Sequence, residues 1–202
     1  MEVVTTDEGE NFTHKSLWCV VARQIENAEA RSSGALYDHM AAMVFALHAF
    51  EAYLNFLGVR LAPDIWNDEQ NFFRREPYRG FEGKVRKVFE LCRLAEPDRL
   101  ARPYSTIWAL KALRDVIAHG KIQTFSQTYA QSVGEQPPFF SGRFDKLVTR
   151  DKAVEAKQDT HAVACILHAA ARPHVTDVWC GDDPFCGPHV HATGISPVAM
   201  MD

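Results

Sequence analysis

The sequence offers little toward a disulfide framework. Five cysteines (Cys19, Cys92, Cys165, Cys180 and Cys186) are an odd number, mostly within helix-like stretches, so reduced, mostly buried thiols are the expectation. Residues 1–15 are acidic and polar with no apolar run, so they do not resemble a secretory signal or an arginine-rich transit peptide. The one long apolar run, Met40 to Val59, is broken by His48, Glu51 and Asn55, and an ionisable group at mid-membrane is costly. That run reads as a core helix, with a cytoplasmic protein and no membrane partner expected. Serine-nucleophile, phosphate-loop and dinucleotide fingerprints are also missing, and there is no internal repeat.

What is present is an ordinary globular composition. With 47% hydrophobic residues against 24% charged, the 202-residue chain has enough apolar content to fold around a core. The net charge of −4 argues against general nucleic-acid binding, but its distribution is uneven. Residues 74–121 hold twelve Lys/Arg against six Asp/Glu, a net +6, which leaves −10 for the rest of the chain. Such asymmetry points to an anionic partner, or an acidic surface of a second subunit, near that segment. A solvated charged face would give the same count.

Apolar spacing predicts five helices. The first runs from Thr13 to Ala30, with Leu17, Val21, Ile25 and Ala28 on one face. The second runs from Gly34 to Leu57, with Gly58 as its C-terminal glycine. The third, Gly80 to Ala95, puts Phe81, Val85, Val88 and Cys92 on one stripe, with most of its cations off it. A fourth begins near Pro103 and stacks Ile107, Leu110, Leu113 and Ile117 before Gly120. The fifth covers Asp151 to Arg172, ahead of Pro173. Together they predict an all-α antiparallel bundle of four to five helices over residues 1–173. A β-hairpin-like insertion is expected at 122–149, where β-favouring residues flank Gly134 and Pro137-Pro138. Residues 174–202 read as an irregular tail that can be removed without unfolding the bundle.

Chemistry concentrates in Leu113-Arg114-Asp115-Val116-Ile117-Ala118-His119-Gly120. On an ideal helix Arg114 and His119 lie about 140° apart, whereas Asp115 and His119 fall within about 40°. Asp115 is thus placed to orient His119, and Gly120 to expose the imidazole at a helix end. A histidine can take the proton of a ribose 2′-hydroxyl or give one to the leaving oxygen, and an arginine fork can hold the phosphate. A histidine before a glycine is also simply a favourable last-turn residue. Glu51 falls on an apolar stripe where an unpaired carboxylate would be expensive, so a structural partner is expected, either Arg114 or a group on another helix. Of two metal-like sets, His161/Cys165/His168 lies along one helical stripe and reads as core and interface residues, while Cys180/Cys186/His189/His191 lacks a tight Cys-x-x-Cys pair; no metal or other cofactor is expected.

The stretch Ala112 to Lys121 resembles the late-helix motif of HEPN (higher eukaryotes and prokaryotes nucleotide-binding) domains, an Arg, a polar residue and a His after a short gap. Ala49-Phe50-Glu51-Ala52-Tyr53-Leu54-Asn55 is similar to that group's apolar helix bearing a Glu and an Asn. The likeness covers roughly residues 13–121 and the fifth helix, but not the insertion or the tail. It implies a helical bundle that dimerises so that two Arg-x-x-x-x-His motifs line one cleft, and a metal-independent endoribonuclease. Toxin or antiphage roles go with it, as does an antitoxin or nucleotidyltransferase partner. Arg114 and His119 then map onto the catalytic pair and Asp115 onto its polar companion, with Glu51 and Asn55 supporting and Lys111 and Lys121 contacting RNA. Many members carry Asn at the companion position, and Asp115 adds negative charge beside the phosphate. Other members are non-catalytic modules that bind nucleotide, RNA or protein.

Overall fold

The computed structural model describes residues 4–31, 33–120, 128, 130, 142–175 and 181–198. Strand β1 (Val4–Asn11) leads into α1 (Thr13–Ala30), and α2 (Ala35–Leu61) follows after Gly34, whose φ of 80° makes the turn. Two short helices, α3 (Pro63–Asn67) and α4 (Glu69–Phe72), precede α5 (Gly80–Leu91) and α6 (Tyr104–Ala118). The last elements among the described residues are α7 (Arg143–Leu147), α8 (Arg150–Ala171) and β2 (Val190–Val198).

The protein is mainly helical and built around α2. Ala46, Leu47, Ala49, Phe50, Tyr53, Leu54 and Leu57 are each 0% exposed, because α1, α5, α6 and α8 all pack on this helix. By length and composition α2 could cross a membrane, but in this fold it is the core of the bundle. Burial near-all-round explains why its apolar residues extend beyond a single stripe.

The helix boundaries carry two corrections. Gly58 does not end α2, which continues to Leu61. A Cβ at Gly58 would overlap the indole of Trp66, so glycine here lets α3 lie against α2. Helix α5 stops at Leu91, short of Ala95, because Arg93 turns left-handed at φ 57°. The Leu94 N–H then donates to the Phe89 carbonyl (2.9 Å), the closing bond of a Schellman turn.

The β content lies elsewhere than expected. Phe144 and Leu147 belong to the helix α7, with Val148 at its C-cap, so this part of the 122–149 segment is not a hairpin strand; residues 122–127, 129 and 131–141 fall outside the described ones. Instead β1 and β2, from opposite ends of the sequence, pair antiparallel from Val4↔Val198 to Asn11↔Val190, with an irregularity between Glu8 and Gly9.

The tail is accordingly part of the fold. Phe185, 3% exposed, stacks on Trp18 with centroids 4.2 Å apart and planes 13° from parallel. The Phe12 N–H donates to the His189 carbonyl (2.7 Å), and His168 Nε2 lies 2.8 Å from the Gly181 carbonyl oxygen.

Candidate functional site

Helix α6 carries the motif. Its inward residues Ile107, Leu110 and Leu113 are buried against the core, which fixes the rotation of the helix and turns Lys111, Arg114 and Asp115 toward its partly exposed side. Lys111 Nζ donates to Asp115 Oδ2 at 3.0 Å, one helical turn along. Arg114 Nε lies 2.9 Å from Asp115 Oδ1, an ion contact whose angles do not make a hydrogen bond. The Arg114 side chain is 33% exposed, so the guanidinium is neither packed away nor free in water.

Asp115 therefore serves two cations. The Lys111 hydrogen bond, supported by the charges of Lys111, Arg114 and His119, holds its carboxyl below the usual carboxylate range although burial opposes ionisation. This corrects the expected pairing: the Asp115 side chain contacts Lys111 and Arg114, while its backbone carbonyl accepts the His119 N–H at 3.0 Å. The His119 imidazole is exposed at the C-cap of α6 and has no hydrogen-bond partner among the described residues. Lys121 lies outside the described residues.

Glu51 and Asn55 form a separate cluster. Lys84 of α5, only 8% exposed, lies 3.8 Å from Glu51 Oε1 and 2.5 Å from Glu69 Oε1, and donates to Asn55 Oδ1 at 3.1 Å. Trp66 Nε1 also donates to that oxygen (3.3 Å), and Phe73 faces the ammonium with its centroid 5.9 Å away. Among the described residues no ion pair joins Glu51 to Arg114. Glu51, with Glu69, is thus occupied in neutralising a buried lysine that ties α2 to α4 and α5, and Asn55 in accepting its hydrogen bond.

Beside the motif lies a charged groove of about 380 Å³ that the motif itself did not reveal. It is lined by Arg79, Arg86, Arg99 and Lys111 with Glu76 and Glu82. The only trace of it in the sequence is the positive excess over residues 74–121. Of the two metal-like sets, His161 instead meets Asp183 (2.9 Å) and Cys165 (3.7 Å), His168 bonds Tyr53 Oη (2.8 Å), and His189 lies near Ser16 (3.2 Å) and Cys19 (3.7 Å). Among the described residues no group of three or more His, Cys, Asp or Glu has the arrangement to hold a metal ion.

Comparison with protein-family models, curated proteins and solved structures finds no match to this chain.

Proposed function

We propose that this protein is a metal-independent endoribonuclease of HEPN type, with Arg114 and His119 as the catalytic pair, working as a symmetric homodimer and suited to a toxin or antiphage role. The observation that carries this reading is the exposed, unpartnered His119 imidazole one turn beyond the Lys111/Arg114/Asp115 cluster. An imidazole free of other bonds is available to take the 2′-hydroxyl proton, so that the 2′-oxygen attacks phosphorus while the P–O5′ bond breaks, and the 5′-oxygen leaves with a proton returned by the imidazolium so formed, of this or the second protomer, or by water. Arg114 holds the non-bridging oxygens as charge builds on them. The products are a 2′,3′-cyclic phosphate and a 5′-hydroxyl end.

A second reading rests on Asp115. Its carboxylate sits where a phosphate would compete for Arg114 and Lys111, which favours a non-catalytic module for RNA, nucleotide or a protein partner. Incubating the purified chain with RNA in excess chelator separates the two. The catalytic reading expects cleavage that fails on substrates lacking the 2′-hydroxyl; binding without cleavage would favour the module, in which the same cations only position a ligand.

A further inference from the structure

Four cations converge on the groove beside the motif, and they come from separate parts of the chain. Arg79 precedes α5, Arg86 lies on α5, Arg99 lies between α5 and α6, and Lys111 lies on α6. Against them the lining has two carboxylates, Glu76 and Glu82, so the groove is net positive in a chain that is net negative.

The cations are held in place by interactions of different strength. Arg99 lies over the Trp108 ring at 4.4 Å and pairs with Glu82 at 2.7 Å. Arg86 donates to the Pro77 carbonyl and to Glu96, both at 3.1 Å. Arg79 is exposed and has no hydrogen bond or ion pair from its side chain among the described residues. Exposed ion pairs contribute little, so these partners do not prevent a polyanion from recruiting the same guanidinium groups. Lys111 links the groove to the motif, since it lines the one and donates to Asp115 in the other.

We propose that this groove is the track for the phosphate backbone of a single RNA strand, with Arg79, Arg86 and Arg99 carrying phosphates next to the one held at Arg114. The proposal rests on the ribonuclease reading and adds to it the direction in which substrate leaves the site. The track binds phosphate, so it is tolerant of sequence; stacked guanidinium and ring faces such as Arg99 on Trp108 suit an unpaired strand more than a duplex.

The test uses the full chain carrying His119→Ala, a fluorescein-labelled single-stranded RNA of mixed sequence, and fluorescence anisotropy across a potassium chloride series. Arg79→Glu and Arg86→Glu, each added to that background, are expected to weaken binding about tenfold. Each should also make the log–log salt slope shallower by about 0.7 for every phosphate that the protein no longer neutralises. Arg150→Glu, the same charge change on α8 at an exposed residue paired with Glu29, is expected to leave affinity within about twofold, as a surface charge outside the track would. Circular dichroism checks folding. If Arg86→Glu unfolds without its Glu96 pair, Arg79→Glu decides alone. RNA bound equally well by the parent and the Arg79 and Arg86 variants, or weakened equally by Arg150→Glu, overturns the track while leaving Arg114 and His119 untouched. Absence of both RNA binding and parental cleavage overturns the track and the ribonuclease reading together.

Discussion

Arg114 and Asp115, neighbours in sequence, meet through Nε and Oδ1 at 2.9 Å, while Lys111 reaches the other oxygen of the same carboxylate. One acidic side chain thereby holds the two cations that a phosphate would need. Replacing Asp115 with Asn keeps a hydrogen-bond acceptor for Lys111 but removes the competing charge. The expected outcome is RNA cleavage several-fold faster than the parent. The cost in stability is about 0.5 kcal/mol or less, because the pair is a partly exposed one a single helical turn apart. Steady-state kinetics and chemical denaturation check both parts.

The tail should be indispensable to the fold. Phe185 fills a site walled by Trp18, Tyr53, His14 and His161, so Phe185→Ala leaves a cavity and is expected to cost about 3 kcal/mol. Urea denaturation measures it. Removing residues 174–202 should destabilise the bundle by more, since it also takes away the partner strand of β1.

His14 gives the protein an acid sensitivity. It is 1% exposed, and burial together with the neighbouring Lys15 charge pushes its pKa from 6.5 down to about 4. Between those values the unfolded chain takes up a proton that the folded chain refuses. Stability therefore falls as pH drops from about 6.5 and levels off below about 4, by about 3 kcal/mol in all. His14→Gln should flatten this part of the curve. Denaturation midpoints at successive pH values give the slope directly.

Asp159 locks the start of α6 to α8. It accepts two hydrogen bonds from Arg102 (2.8 and 2.9 Å) and one from Thr106 (2.5 Å). Burial opposes ionisation at Asp159, but these hydrogen bonds outweigh it and hold the carboxyl below its usual range. The contribution is present above the unfolded pKa and is lost as pH falls through the folded one. Asp159→Ala is expected to cost about 2 kcal/mol at neutral pH and less in acid, since it leaves the buried Thr106 hydroxyl and the more than half-exposed Arg102 with only their longer contacts to Glu155 (3.5 and 3.2 Å). Thermal melts at neutral and acid pH compare the two.

The helices were legible because their apolar spacing is a local property: Thr13–Ala30 could be read directly from Leu17, Val21, Ile25 and Ala28. The strands were not, since β1 and β2 are stabilised by each other across nearly the whole chain and neither segment alternates clearly. Gly58 misled because a glycine needed for close packing looks the same as one that ends a helix. At the site, Lys111, Arg114 and Asp115 could be placed on one helix by periodicity. Which cation Asp115 would choose could not, because one turn toward Lys111 and one toward His119 are equivalent in spacing. Glu51 needed a partner by its place on an apolar stripe, but that partner, Lys84, lies 33 residues further along the chain. Light scattering on the purified protein tests the expected homodimer; a monomer at high concentration would remove the composite cleft.

The most direct test of the central claim is single-turnover cleavage of a labelled RNA, in excess chelator, by the parent and by His119→Ala. Because His119 is exposed and makes no side-chain hydrogen bond among the described residues, the variant should keep the parent's circular dichroism spectrum and melting temperature. The account predicts a loss of at least about a hundredfold in rate, the usual scale for removing a general acid or base. Cleavage by His119→Ala at the parent's rate, or a folded parent dimer that cleaves no RNA, would contradict it.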